Sequence, residues 1–110
     1  MILTFIQNIQ HNISEQRNWI FVAAKKECDD DVPNEAHPES EGIKTIDDCA
    51  NICKGKSTMF AFGTNDFGVD RCTADGCRCL CELSASEDGA CKEIENTGYR
   101  LYKYRRFGKM

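Results

Sequence analysis

Apolar residues fall in short, separated clusters along the chain. Ile2, Ile6, Ile9 and Ile13 recur at helical spacing, which predicts an amphipathic helix over 2–13 or a segment foreign to the domain that follows. Trp19 to Ala24 is rich in aromatic and β-branched residues and predicts a first strand. Pro33, Pro38 and Gly42 then interrupt a polar stretch, which reads as an exposed loop. Thr45-Ile46-Asp47-Asp48 carries helix-start chemistry. Thr45 is placed to cap, and Asp48 occupies the return position of an acidic capping box. Ile46, Cys49, Ala50 and Cys53 share one helical face, and Gly55 is placed to stop the helix after about ten residues, with Lys54 and Lys56 near its negative end.

Strand signals follow. Thr58, Phe60 and Phe62 alternate with Met59 and Ala61, and Gly63 to Gly68 is a turn region. Thr73-Ala74-Asp75-Gly76 is a second turn. Cys77 to Leu83 alternates as a strand, Ser84 to Gly89 reads as loop, and Asn96-Thr97-Gly98 as a further turn. Tyr99 to Tyr104 is aromatic-rich and predicts the last strand. Neither an internal repeat nor a low-complexity segment is present.

Length and composition narrow this picture. A chain of 110 residues holds one domain, or one small domain with a tail, and excludes two full cores. Charged residues at 29% and hydrophobic residues at 41% match an ordered globular chain. The net charge of −4 argues against a general nucleic-acid binder. The longest apolar run, residues 19–24, is far below the roughly 20 residues of a membrane helix.

The informative number is eight cysteines: Cys28, Cys49, Cys53, Cys72, Cys77, Cys79, Cys81 and Cys91. An even count in a short chain favours a disulfide framework in an oxidising compartment. Metal–thiolate chemistry competes, since Cys77, Cys79 and Cys81 have C-x-C spacing. Paired C-x₂-C knuckles are absent, however, and His11 and His37 lie outside the cysteine-rich stretch. No metal or other cofactor is expected. Strand residues two apart lie about 6.6 Å apart on one face, and helix residues four apart rise about 6 Å on one face. Cys49 and Cys53 on a helix therefore match the period of the Cys77, Cys79 and Cys81 strand, and a helix laid against it can make two adjacent bridges. The connectivity stays open among many pairings.

Secretion is the expectation that follows, although residues 1–24 do not read as a signal peptide. The start lacks a basic residue, and the apolar run before Val22-Ala23-Ala24 is short. A missing or misassigned start is the favoured explanation. Asn12-Ile13-Ser14 is a glycosylation sequon of the kind that arises often by chance.

Charge is divided along the chain. Residues 27–48 hold nine acids against one base, Lys44, and no acid follows Glu95, whereas Arg100, Lys103, Arg105, Arg106 and Lys109 do. On a strand, Arg100, Tyr102 and Tyr104 face one side. With Arg105 and Arg106 they form a candidate contact for an acidic or sulfated glycan. Asp29, Asp30 and Asp31 are a candidate contact for calcium or a mineral surface, although they lack the ligand spacing of a calcium loop. No nucleophile with a supporting base is apparent, and no Gly-rich phosphate loop, so an enzyme is not expected.

Ile46-Asp47-Asp48-Cys49-Ala50-Asn51-Ile52-Cys53, the Met59-Phe60-Ala61-Phe62 strand, the C-x-C-x-C run and the closing Gly98 to Tyr104 strand together resemble the PAN/apple family. The likeness is strongest to its cysteine-rich marine-invertebrate members, with Gly63-Thr64-Asn65-Asp66-Phe67-Gly68 as a further shared stretch. It covers residues 19–107, leaving 1–18 as an N-terminal extension and 108–110 as a tail. It implies a small disulfide-rich α+β domain, one helix stapled across a curved antiparallel β-sheet. Many members carry a cysteine just after the helix. Here Ser57 and Thr58 stand there, so the resemblance implies that the second helix cysteine bridges to a strand cysteine. Family members bind proteins or carbohydrates and are not enzymes. The resulting expectation is a secreted extracellular matrix or adhesion module, of a mineralised matrix such as shell in one version. The alternative is a diffusible secreted effector such as a toxin or inhibitor.

Overall fold

A capping box opens α1, Ile46–Cys53, in the computed structural model, which describes residues 18–29 and 31–105. The Asp48 N–H donates to the Thr45 hydroxyl at 3.0 Å, and the Thr45 N–H donates back to the Asp48 carboxylate at 3.2 Å. Two donors that a helix start leaves open are thereby satisfied. The helix has eight residues rather than about ten, because Lys54 already leaves the helical region. Gly55 then turns at φ 80° while the N–H groups of Lys56 and Ser57 close on the Cys53 carbonyl. That left-handed backbone favours glycine. A helix this short is not stable alone in water, so its stability comes from what it is fixed to.

It is fixed to a five-stranded sheet with every pairing antiparallel: β1 (Trp19–Cys28), β2 (Glu35–His37), β3 (Met59–Gly63), β4 (Cys79–Cys81) and β5 (Glu93–Tyr104). Their spatial order is β1-β5-β3-β4-β2. Short 3₁₀ turns occupy Glu39–Glu41 and Asp66–Gly68. With four disulfides this is a small disulfide-rich α+β domain. The expected helix over 2–13, the Asn12 sequon, His11, Asp30, Arg106, Lys109 and the tail 108–110 lie outside the described residues.

Several elements differ from the pattern reading. β1 continues to Cys28 instead of ending at Ala24. The acidic stretch read as loop contains β2, whose Glu35, Ala36 and His37 pair with Cys81, Leu80 and Cys79. The Cys77 to Leu83 strand contracts to β4, three residues. Asn96-Thr97-Gly98, read as a turn, lies inside β5. There Ala24 pairs with Arg100 and Lys26 with Glu95, so residues 96–99 bulge opposite Lys25, whose φ is 62°. The turn-forming residues were spent on a bulge, which bends the strand without reversing it. A second bulge places Val22 between the pairs Phe21–Tyr102 and Ala23–Leu101.

Side chains of the inner strands pack on both sheet faces. Under α1, Phe60 and Tyr102 stack with ring centres 5.3 Å apart, among Ile43, Ala50 and the sulfurs of Cys49, Cys53, Cys79 and Cys81. On the opposite face Met59, Ala61, Leu80, Tyr99 and Leu101 pack with Cys28. The bridges are Cys28–Cys91, Cys49–Cys79, Cys53–Cys81 and Cys72–Cys77, which leaves no free cysteine. Both helix cysteines reach the strand at Cα separations of 5.6 and 5.2 Å. Cys77 does not continue the stapled face. It leaves the strand and closes a hairpin with Cys72, where the two form an isolated antiparallel bridge.

Replacing Cys53 by Ser is expected to destabilise the domain by about 2–5 kcal/mol, as losing a native bridge in a small domain does. Thr45→Ala should cost only about 1 kcal/mol, the worth of the cap. Thermal melts of the two variants should show the cysteine change producing clearly the larger drop, and equal drops would mean the staple adds nothing beyond the cap.

Candidate functional site

Asp47 and Asn51 lie one turn apart on α1 and Lys54 follows as its C-terminal cap, so the three make one polar stripe. Ala50 lies beside this stripe, and its small side chain leaves the helix open to the end of the sheet. Trp19 at the start of β1 and Tyr104 at the end of β5 face each other across the first pairing of those strands. Together with Asn18 these side chains line an open groove of about 310 Å³. Its walls are held from within. The Trp19 indole N–H donates to the Asp47 carboxylate at 2.6 Å, tying β1 to the first turn of α1. The Tyr104 hydroxyl donates to the Ala50 carbonyl, and burial pushes this phenol well above its ordinary range. Trp19 also meets Tyr102 edge-on at 5.2 Å, and Phe21, 54% exposed, meets the same ring at 5.8 Å. Two rigid rings thus form the walls, an exposed phenyl adjoins them, and amide, carboxylate and ammonium groups lie along the helix side.

This site is not the one read from the charge pattern. Arg100, Tyr102 and Tyr104 do lie on one face of β5, but that face carries α1. Tyr102 is 97% buried between Phe60 and Trp19, and Arg100 bonds Asp66. The sheet face under a helix is core, so Tyr102 at the centre of this row is not open to stack on a ligand, and of the three only Tyr104 reaches the groove. Arg105 is exposed and its backbone N–H donates to Asn18 at 2.7 Å, while Arg106 is outside the described residues. Of the acidic trio, Asp29 pairs with Lys92 at 3.6 Å and Asp31 is exposed. The groove residues carried a weak signal in the sequence, the polar stripe of α1. Their meeting with Trp19, 28 residues before Asp47, carried none.

The acidic segment has an unexpected role. His37 on edge strand β2 faces Glu41 through Nδ1 at 2.8 Å and Glu35 through Nε2 at 2.7 Å, and Lys56 donates to the same Glu35 oxygen at 2.7 Å. Only the imidazolium donates through both nitrogens. Burial pulls His37 down, but the hydrogen bonds to Glu41 and Glu35 outweigh it and hold the pKa above its ordinary 6.5. Lys56, then His37, hold the Glu35 carboxyl below its ordinary 4.5. This row clasps β2 to the residues just after α1. The Glu35, His37 and Cys81 ligand atoms cluster within 4.8 Å, as do Cys49, Cys53 and Cys79, but each of these sulfurs belongs to a bridge rather than to a thiolate. Among the described residues no helix is long and apolar enough to cross a membrane. No family model matches the chain, nor does any curated protein or solved structure.

The clasp has a defined pH window. The His37 contribution is complete below 6.5 and lost as pH rises through its raised value, and that of Glu35 is present above 4.5 and lost as pH falls through its lowered value. Both act between those limits. His37→Gln should therefore lower the melting temperature most in mildly acidic buffer, with the gap to wild type closing as pH becomes alkaline. A gap that does not vary with pH would remove the imidazolium from the account.

Proposed function

We propose that the chain is a secreted, non-enzymatic module of the PAN/apple type that serves in extracellular matrix or adhesion by binding carbohydrate or protein, with the groove between α1 and the ends of β1 and β5 as its contact. The observation that carries this reading is the meeting of the Trp19 and Tyr104 rings with the exposed Asn51 and Lys54 side chains in one open cleft. Sugars present a C–H face that packs on aromatic rings and hydroxyls that exchange hydrogen bonds with amide, carboxylate and ammonium groups, the mixture that fixes ligand orientation in binding sites generally. Both ring-borne donors are already used inside the protein, so the walls are preorganised and little side-chain entropy is lost when they are covered. Four bridges in 110 residues support an oxidising, extracellular setting. A mineral contact through Asp29, Asp30 and Asp31 has less support, because Lys92 already offsets the first of these charges.

A glycan array probed with wild type, Asn51→Ala and Lys54→Ala provides the test. Both positions are exposed, so the variants should fold normally. Each should weaken binding of retained glycans by about two- to tenfold, the worth of one hydrogen bond. No retained glycan, or variants that bind like wild type, would rule out the groove as a carbohydrate site.

A further inference from the structure

The hairpin closed by Cys72–Cys77 places two arginines side by side. Arg78 N–H donates to the Arg71 carbonyl at 2.9 Å, so the pair are cross-strand neighbours just outside the bridge. Like charges in that relation repel. The bridge spans only five positions, and of the four it restricts the unfolded chain least. Its principal effect is therefore local, to hold the two arginines together.

The surroundings are shaped around Arg71. Its guanidinium carbon lies 5.5 Å from the centre of the Tyr99 ring. A Cβ on Gly63 would sit 2.7 Å from Arg71 Cβ, and one on Gly98 would sit 2.6 Å from Arg71 Cγ, so both glycines clear a path for its stem. The Arg71 Nε is buried without a hydrogen-bond partner, and no ion pair to Arg71 is found among the described residues. Arg78 has one acidic neighbour, Glu39, at 3.5 Å. Glu27, the acid that shares the surroundings of the Tyr99 hydroxyl with both arginines, is occupied by amides, Asn34 at 3.3 Å and Asn96 at 2.6 Å. Two arginines are thus held together by a covalent clamp, with Glu39 paired to Arg78 alone and Glu27 bonded by amides, so that Arg71 has no ion-pair partner among the described residues. That cost is offset when an oxyanion sits across the pair, since guanidinium forks match sulfate and carboxylate oxygens.

We propose that Arg71 and Arg78, clamped by Cys72–Cys77 over Tyr99, form a site for the sulfate ester of an acidic glycan. The site is on the sheet face opposite α1, separate from the groove. The choice of a glycan over another sulfated ligand rests on the carbohydrate reading above, whereas the oxyanion chemistry does not.

The test begins with inorganic sulfate, titrated against chloride at matched ionic strength while the arginine Nε–H resonances are followed by NMR. Wild type should give a saturable shift at Arg71. Arg71→Met keeps the stem and removes the charge, and it should weaken sulfate binding by about tenfold or more, the worth of a charge-assisted hydrogen bond. Arg71→Lys should retain part of it, and Arg78→Met should weaken it as well. Asn51→Ala should leave the sulfate response unchanged, which separates failure of this site from failure of the groove. Amide spectra of each variant establish folding. No saturable shift in wild type, or an unchanged affinity in Arg71→Met, overturns the site. Retention on immobilised chondroitin sulfate, lost with its desulfated form, supports the glycan source. Binding of a sulfotyrosine peptide in preference to that polymer overturns it.

Discussion

The pair of bridges from α1 to β4 is the constraint on which the rest of this small structure depends. An eight-residue helix has too few internal hydrogen bonds to persist in water. Cys49 and Cys53 lie one helical turn apart, Cys79 and Cys81 one strand repeat apart, and the two rises nearly coincide. Two covalent links between the same elements remove sliding and rotation that one link would leave. The helix then lies over Phe60 and Tyr102, and that face of the sheet becomes core. A domain with so few large aliphatic side chains gains from bridges what it lacks in apolar burial.

Once the helix is fixed, the aromatic residues take distinct roles by depth. Tyr102 is stacked and enclosed, Tyr104 is half-covered and spends its hydroxyl on the helix backbone, and Trp19 and Phe21 reach the open edge. The groove is a by-product of this gradient: rigid rings at the rim with polar helix residues beside them. The acidic segment, which composition presents as solvated loop, contributes an edge strand and a charged clasp to Lys56. Its charges are thus spent within the fold near His37, and spared for solvent elsewhere.

Much of the local structure was legible in the sequence because its causes are local. Thr45 with Asp48 specifies a helix start, Gly55 a helix stop, and the alternation around Phe60 a strand. The two cysteine periods specified that a helix and a strand were to be bridged in tandem. They did not specify partners, and Cys77, in step with Cys79 and Cys81 by count, turned away to Cys72 because the strand begins only at Cys79.

What only the tertiary structure decided concerns residues far apart in the chain. Asn96-Thr97-Gly98 has the same turn chemistry whether it reverses the chain or bulges within a strand, and pairing with β1 selected the bulge. Which face of β5 is buried depends on where α1 lies, so the Arg100-Tyr102-Tyr104 row looked like a ligand face until the helix covered it. The candidate sites have the same origin. Trp19 meets Asp47, and Arg71 crosses Gly98 to lie on Tyr99, only because the sheet order brings β1 and β5 together beside β3. The sequence by itself determined the cap, the stops and the periods of the cysteines, since backbone sterics and short-range hydrogen bonds act within a few residues. Strand order, bridge partners and the side chains that share a cleft were decided by long-range packing, which no local pattern encodes.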